Sequence, residues 1–121
     1  MIELDLRAAL LAHAPLTALV QQKVAALIAP EGTQPPYVTY QLITGTRQGS
    51  MSTQGSLRNA RMQLLCFARS YGEAKQVAQA VQDAVEDSTQ FEVVFNGDQD
   101  LYEPDTKLQY VVLDYSIWQD T

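Results

Sequence analysis

The chain has one cysteine, Cys66, and one histidine, His13. A single thiol excludes an intramolecular disulfide framework and fits a reducing compartment. His13 has no second ligand type beside it in sequence, so a helix-end residue, favourable near the negative end of the dipole, accounts for it better than a metal ligand or general base. Bases are scarce as well, with 8 Lys and Arg against 14 Asp and Glu and a net charge of -6. A negative field repels phosphate backbones, which disfavours gripping nucleic acid as the main task. No apolar run reaches the length needed to span a bilayer. The opening MIELDLRAALLAHAP places Glu3 and Asp5 where a signal peptide needs positive charge, so the expectation is a soluble protein kept in a cytoplasm.

Motifs for chemistry are missing too. Gly45, Gly49 and Gly55 make no phosphate loop, because GxxxxGK[ST] is absent. Ser50, Ser52 and Ser56 lack the strained strand-to-helix elbow that exposes a nucleophilic serine. Cys66 sits mid-strand between Leu65 and Phe67 and reads as a small buried hydrophobe.

What is present is the makings of a folded domain. At 121 residues and 46% hydrophobic content, the chain can bury roughly two-thirds of its unfolded surface as one domain, residues 1–121. Residues 2–13 read as a helix with Ile2, Leu6, Ala9, Leu10 and His13 on one face, interrupted by Pro15. Leu16 to Gln22 forms another short helical turn, and Lys23 to Ile28 suits a strand. Pro30, Gly32 and Pro35-Pro36 mark a loop.

Tyr37 to Thr44 is β-branched and aromatic, a strand. Gly45 to Leu57 is almost wholly Gly, Ser, Thr and Gln, and is expected to be a long mobile loop. Arg58 to Ala68 reads as a central strand: Met62, Leu64, Cys66 and Ala68 line one face, and Leu65 and Phe67 suggest that the other is covered too. Ser70-Tyr71-Gly72-Glu73 matches a capping box. The helix after it carries Ala74, Val77, Ala78, Val81, Ala84 and Val85 on one stripe. Phe91, Val93 and Phe95 point inward on another strand, and Lys107 to Trp118 is a long last one. The order predicts an α+β domain: a mainly antiparallel sheet, an N-terminal helix, one long amphipathic helix packed on it and a long polar hairpin loop.

Asp98, Asp100, Glu103 and Asp105 crowd together before the last strand. As a calcium loop they fail, because Glu103 stands at the glycine position and Gln109 at the last ligand. As an acid–base pair they lack a pocket to shift one pKa from the other. Pro104 and Asp105 fit the middle of a β-turn, so the expectation is a solvated acidic turn.

Three stretches together resemble a known family: PPYVTYQLITG after the proline loop, then ARMQLLCFARSYGEAKQVAQAVQDAV, and finally DLYEPDTKLQYVVLDYSIW. This combination is similar to the tail-completion, or tail-terminator, proteins of long-tailed bacteriophages and prophages, over nearly the whole chain. The resemblance implies a structural virion protein with no cofactor and no enzymatic activity. It implies a ring, hexameric on assembly and monomeric before docking, at the head-proximal end of the tail tube. Its partners would be further copies of itself, the tail tube protein and a head connector or head-closure protein. DNA would pass through the ring without sequence-specific binding, and no membrane is involved. Tail completion and another head–tail joining role both stay open.

Two rivals from other classes stand beside it: a small cytoplasmic hydrolase using His13 with the C-terminal acids, and a binding module whose partner docks on a sheet edge. The charges are segregated along the chain, with Arg47, Arg58, Arg61 and Arg69 in the middle and the acids toward the end. A head-to-tail ring needs two unlike, complementary surfaces. The expected interface therefore pairs Arg47, Met51, Arg58, Arg61 and Arg69 with Asp98, Asp100, Glu103 and Asp105.

Overall fold

The computed structural model describes residues 1–48 and 57–120, with the backbone alone for Arg47 and Gln48. The elements are α1 (Ile2–Ala12), α2 (Ala14–Val20), β1 (Val24–Ala26), β2 (Tyr37–Gln48), β3 (Leu57–Ala68), α3 (Tyr71–Glu86), β4 (Glu92–Glu103) and β5 (Leu108–Asp120). The strands form one sheet in the order β1-β2-β3-β5-β4. Every neighbouring pair is antiparallel except β1 with β2. This is the expected α+β architecture.

The helices occupy one face. Spacing by four puts Ile2, Leu6 and Leu10 of α1 on a single buried stripe, joined by Leu16 and Val20 of α2. The α3 stripe, including Val77, Val81 and Val85, meets Met62, Leu64 and Cys66 of β3 and Leu113, Tyr115 and Ile117 of β5. Each large aliphatic buried this way contributes about 1.5–3 kcal/mol. The Ser70 hydroxyl accepts from the Glu73 N–H at 3.2 Å and caps α3 as its sequence demands. His13, in extended geometry, ends α1 and precedes α2.

Several expectations need correction. The polar stretch after Thr44 does not leave the sheet there: Gly45, Thr46, Arg47 and Gln48 pair with Ala60, Asn59, Arg58 and Leu57. Threonine suits a strand, and an established ladder carries a glycine along. The rest of the expected loop, including Met51, lies outside the described residues.

The acidic stretch is not a turn either. Asp98, Asp100 and Glu103 belong to β4, opposite Leu113, Val111 and Leu108, and only Asp105 sits in the tight connection to β5. A bulge between Phe95 and Gly97 shifts the alternation by one residue, which hides the strand from a period-of-two reading. Gly97 takes φ +144°, a conformation that glycine adopts without strain.

β3 is central, but its second face carries no helix. Leu65 and Phe67 are half-buried by neighbours on the sheet itself. Phe95, expected inward, stands at the sheet margin against the Tyr115 ring at 5.3 Å.

Candidate functional site

The acids are dispersed by the fold. Asp100 accepts from Lys75 Nζ at 2.7 Å and from the Tyr71 hydroxyl at 2.9 Å, which ties β4 to the start of α3. The Lys75 hydrogen bond, with Tyr71 second, holds its carboxyl below the usual range. Glu103 accepts from the Thr106 hydroxyl at 2.8 Å, inside the β4–β5 connection. No group of three His, Cys, Asp or Glu residues among the described ones could hold a metal ion.

His13 borders a shallow groove with Ala9, Ala84, Asp87 and Ser88, and none of the four C-terminal acids lines it. Its Nε2 is buried without a hydrogen-bond partner among the described residues. Cys66 is fully buried, and burial pushes its thiol well above its ordinary pKa, the opposite of what a nucleophile needs.

Of the arginines, Arg61 grips Asp114 on β5 through Nε at 3.1 and 3.2 Å and Nη2 at 2.9 Å. Gln63 and Asn96 also donate to that carboxylate, at 3.2 and 3.0 Å, and Gln41 donates to Gln63 at 3.3 Å. Hydrogen bonds from Arg61 chiefly, then Asn96 and Gln63, hold the Asp114 pKa low against the opposing effect of partial burial. Arg58 Nη2 lies 2.8 Å from Glu3 Oε1 on α1. That contact is ionic rather than a directed hydrogen bond, since Glu3 Oε1 has no aligned donor among the described residues. Arg69 donates to Gln34 at 2.7 Å. Charges segregated along the chain are therefore partly reunited within the subunit, and Arg58, Arg61 and Asp100 are already engaged there.

The helix-free face of the sheet has two zones. At one end Phe67 is stacked between Tyr37 and Tyr110, with ring centroids 4.9 and 4.8 Å apart. In the middle lies the Gln41–Gln63–Asp114–Arg61 network, with Asn96 bridging to Ser116 at 3.0 Å. Arg61, Gln63, Asn96 and Asp114 line a shallow, open hollow of about 270 Å³ there, together with Gly97, Asp98, Gln99 and Val112. At the two margins of the sheet apolar side chains are exposed, and the outer backbone groups lack a strand partner among the described residues. Leu42 and Ile43 on β2, and Val94, Phe95 and Tyr102 on β4, are exposed. Alternation in the sequence placed Phe95 inward and gave no sign that these residues would be exposed; β2 bulges between Leu42 and Thr44, where Leu42 and Ile43 interrupt the alternation.

A sequence profile of the family described as Tail completion protein gp17 matches residues 5–120. The chain belongs to this family. Its members are structural phage tail proteins and not enzymes, which removes the hydrolase reading. Among solved structures, a chain in the virion of a native gene transfer agent (GTA) particle matches with a TM-score of 0.68 and 20% identity, over 96% of this chain and 92% of that one. At that identity the match shows a shared fold. A protein from Akkermansia muciniphila matches with a TM-score of 0.40 and 8% identity, over 67% of this chain and 41% of that one, too distant to carry an argument. Comparison with curated protein sequences finds no match. No helix among the described residues is long and apolar enough to cross a membrane.

Proposed function

We propose that this tail completion family member closes the tail as a ring, hexameric on assembly, at the head-proximal end of the tail tube in the virion. There it stops tube growth and offers a surface to the head connector or head-closure protein, while DNA passes through the ring without sequence-specific contacts. The observation that carries this reading is the family match across residues 5–120. The fold is consistent with it, because the two margins of the sheet are unlike. A surface that is not self-complementary favours heterologous contacts, which close into rings when the rotation permits. Among the charges nominated from the sequence, Arg47 and Arg69 on one side and Asp98, Glu103 and Asp105 on the other are proposed to lie at contacts between subunits or with neighbouring tail proteins.

Deletion of the gene tests the role, with tails viewed by electron microscopy. A terminator's absence should give tubes of irregular, excessive length. Tubes of normal length that never join heads would move the protein to another neck position. Complete particles in the deletion strain would refute both.

A further inference from the structure

β1 covers β2 only as far as Tyr40, whose carbonyl accepts from Leu27 N–H at 2.8 Å. Leu27 takes φ +66° there, and the Ile28 N–H turns back to the Ala26 carbonyl, so β1 leaves the sheet. From Leu42 to Gln48, β2 pairs with β3 and with no other described residue. At the opposite margin β4 pairs with β5 and with no other described strand. Among the described residues, both margins present a row of backbone groups without a strand partner, a template for adding a strand.

Three observations make the two margins fit each other. The first is direction. β2 and β5 run one way and β3 and β4 the other, so β4 of one copy laid beside β2 of the next, with both helical faces on the same side, meets it antiparallel. The second is packing. The row Leu42–Met62–Tyr115–Phe95 crosses the sheet, and each edge strand bulges just past its end of that row. Met62 and Tyr115 are fully buried, while Leu42 and Phe95 are 41% and 40% exposed, and Ile43 and Val94 beside them are exposed too. The apolar layer under the helices thus runs out into solvent at both margins. The third is charge. β1 and β2 contain no acid and one base, Arg47, with Lys23 just before β1, whereas β4 holds Glu92, Asp98, Asp100 and Glu103 and no base. Two β4 edges would set carboxylates against each other, which disfavours like-with-like pairing and leaves the unlike pairing.

We propose that copies of this chain join head to tail by strand addition, the β4 edge of one docking on the Leu42–Gln48 edge of β2 in the next, with Leu42, Ile43 and Phe95 enclosed between them. This rests on the ring reading above and assigns its contact. The open part of β2 is shorter than β4, so only part of β4 joins the neighbouring sheet.

The chain's own thiol is buried, so introduced cysteines report alone. Double variants combine Thr44→Cys or Thr46→Cys with Val94→Cys, Asp98→Cys or Gln99→Cys. Each is supplied to a deletion strain, and the assembled particles are oxidised. At least one β2–β4 combination should give ladders of multiple copies on a denaturing gel, and the corresponding single variants should give none. In parallel, Leu42→Lys and Phe95→Lys alter exposed side chains, and thermal unfolding of the purified chain verifies the fold. Each should cut completed particles at least tenfold. Crosslinks joining like edges, crosslinks only to a different tail protein, or full complementation by both folded lysine variants would overturn this contact and leave the ring itself standing. The ring reading fails differently, by complete particles forming with no copy of the protein present, and this contact fails with it.

Discussion

Asp114 is the residue on which the open sheet face depends. Its carboxylate accepts from Arg61, Gln63 and Asn96, and those bonds lower its folded pKa below the ordinary 3.8. When the folded value is the lower one, the unfolded state takes up the proton first. Stability from this group is therefore complete above that ordinary value and drains away as pH falls through the folded one. Urea unfolding followed from about pH 5 to about pH 2 should show Asp114→Asn losing less stability on acidification than the parent. Arg61→Glu should lower the stability of the isolated subunit in the same urea unfolding, since it removes the pair with Asp114 and sets a like charge beside it; the effect should be small, because the pair is open to solvent. If that reversal left the isolated subunit's stability unchanged while abolishing rings, Arg61 would belong to a contact between copies instead. Cys66→Ala opens a small void in the core and should cost about 1 kcal/mol with tail completion intact.

At the scale of elements, α3 and β4 are the informative pair. The α3 stripe and its Ser70 cap are local features, and Ser70→Ala should lower stability by about 1 kcal/mol in denaturant unfolding. β4 depends on one backbone position instead. A Cβ added at Gly97 would meet no atom within 4 Å, so Gly97→Ala tests conformation without a clash. At φ +144° it should cost about 1–3 kcal/mol, read from the same unfolding curves. A neutral Gly97→Ala would mean that the bulge is adaptable, and the phase shift carrying Asp98 and Asp100 onto a strand would then need another cause. The helix, a run of i→i−4 contacts, was legible from spacing. Of β4 only the start, up to Phe95, was legible, because the residue inserted at the bulge moves every later side chain to the opposite face.

For the whole molecule, the net charge of -6 has a consequence for the proposed lumen. Purified protein should show no retention of duplex DNA at about physiological salt, where even basic proteins lose much non-specific affinity. Salt-sensitive, micromolar binding would contradict passive passage. Residues 49–56 lie outside the described ones, and we propose that this part of the expected mobile loop orders against a neighbouring subunit on assembly. Amide exchange in free and assembled protein decides it: protection gained only on assembly supports it, and equal strong protection in both states sinks it.

Composition and local spacing determined the α+β class, the stripes of α1 and α3, the central β3 and the long β5. These rest on periodicities of 3.6 and 2 that any short window contains. The quoted motifs carried the family. Tertiary structure alone decided what the charges and margins do. Arg61 and Asp114 are separated by 53 positions, and they meet only because β5 inserts between β3 and β4. The same strand order leaves β2 past Tyr40 and all of β4 without outer strand partners among the described residues. A sequence states which residues are charged and which strands exist. Which charges neutralise one another, and which strand edges stay open, depends on the order in which the strands lie side by side.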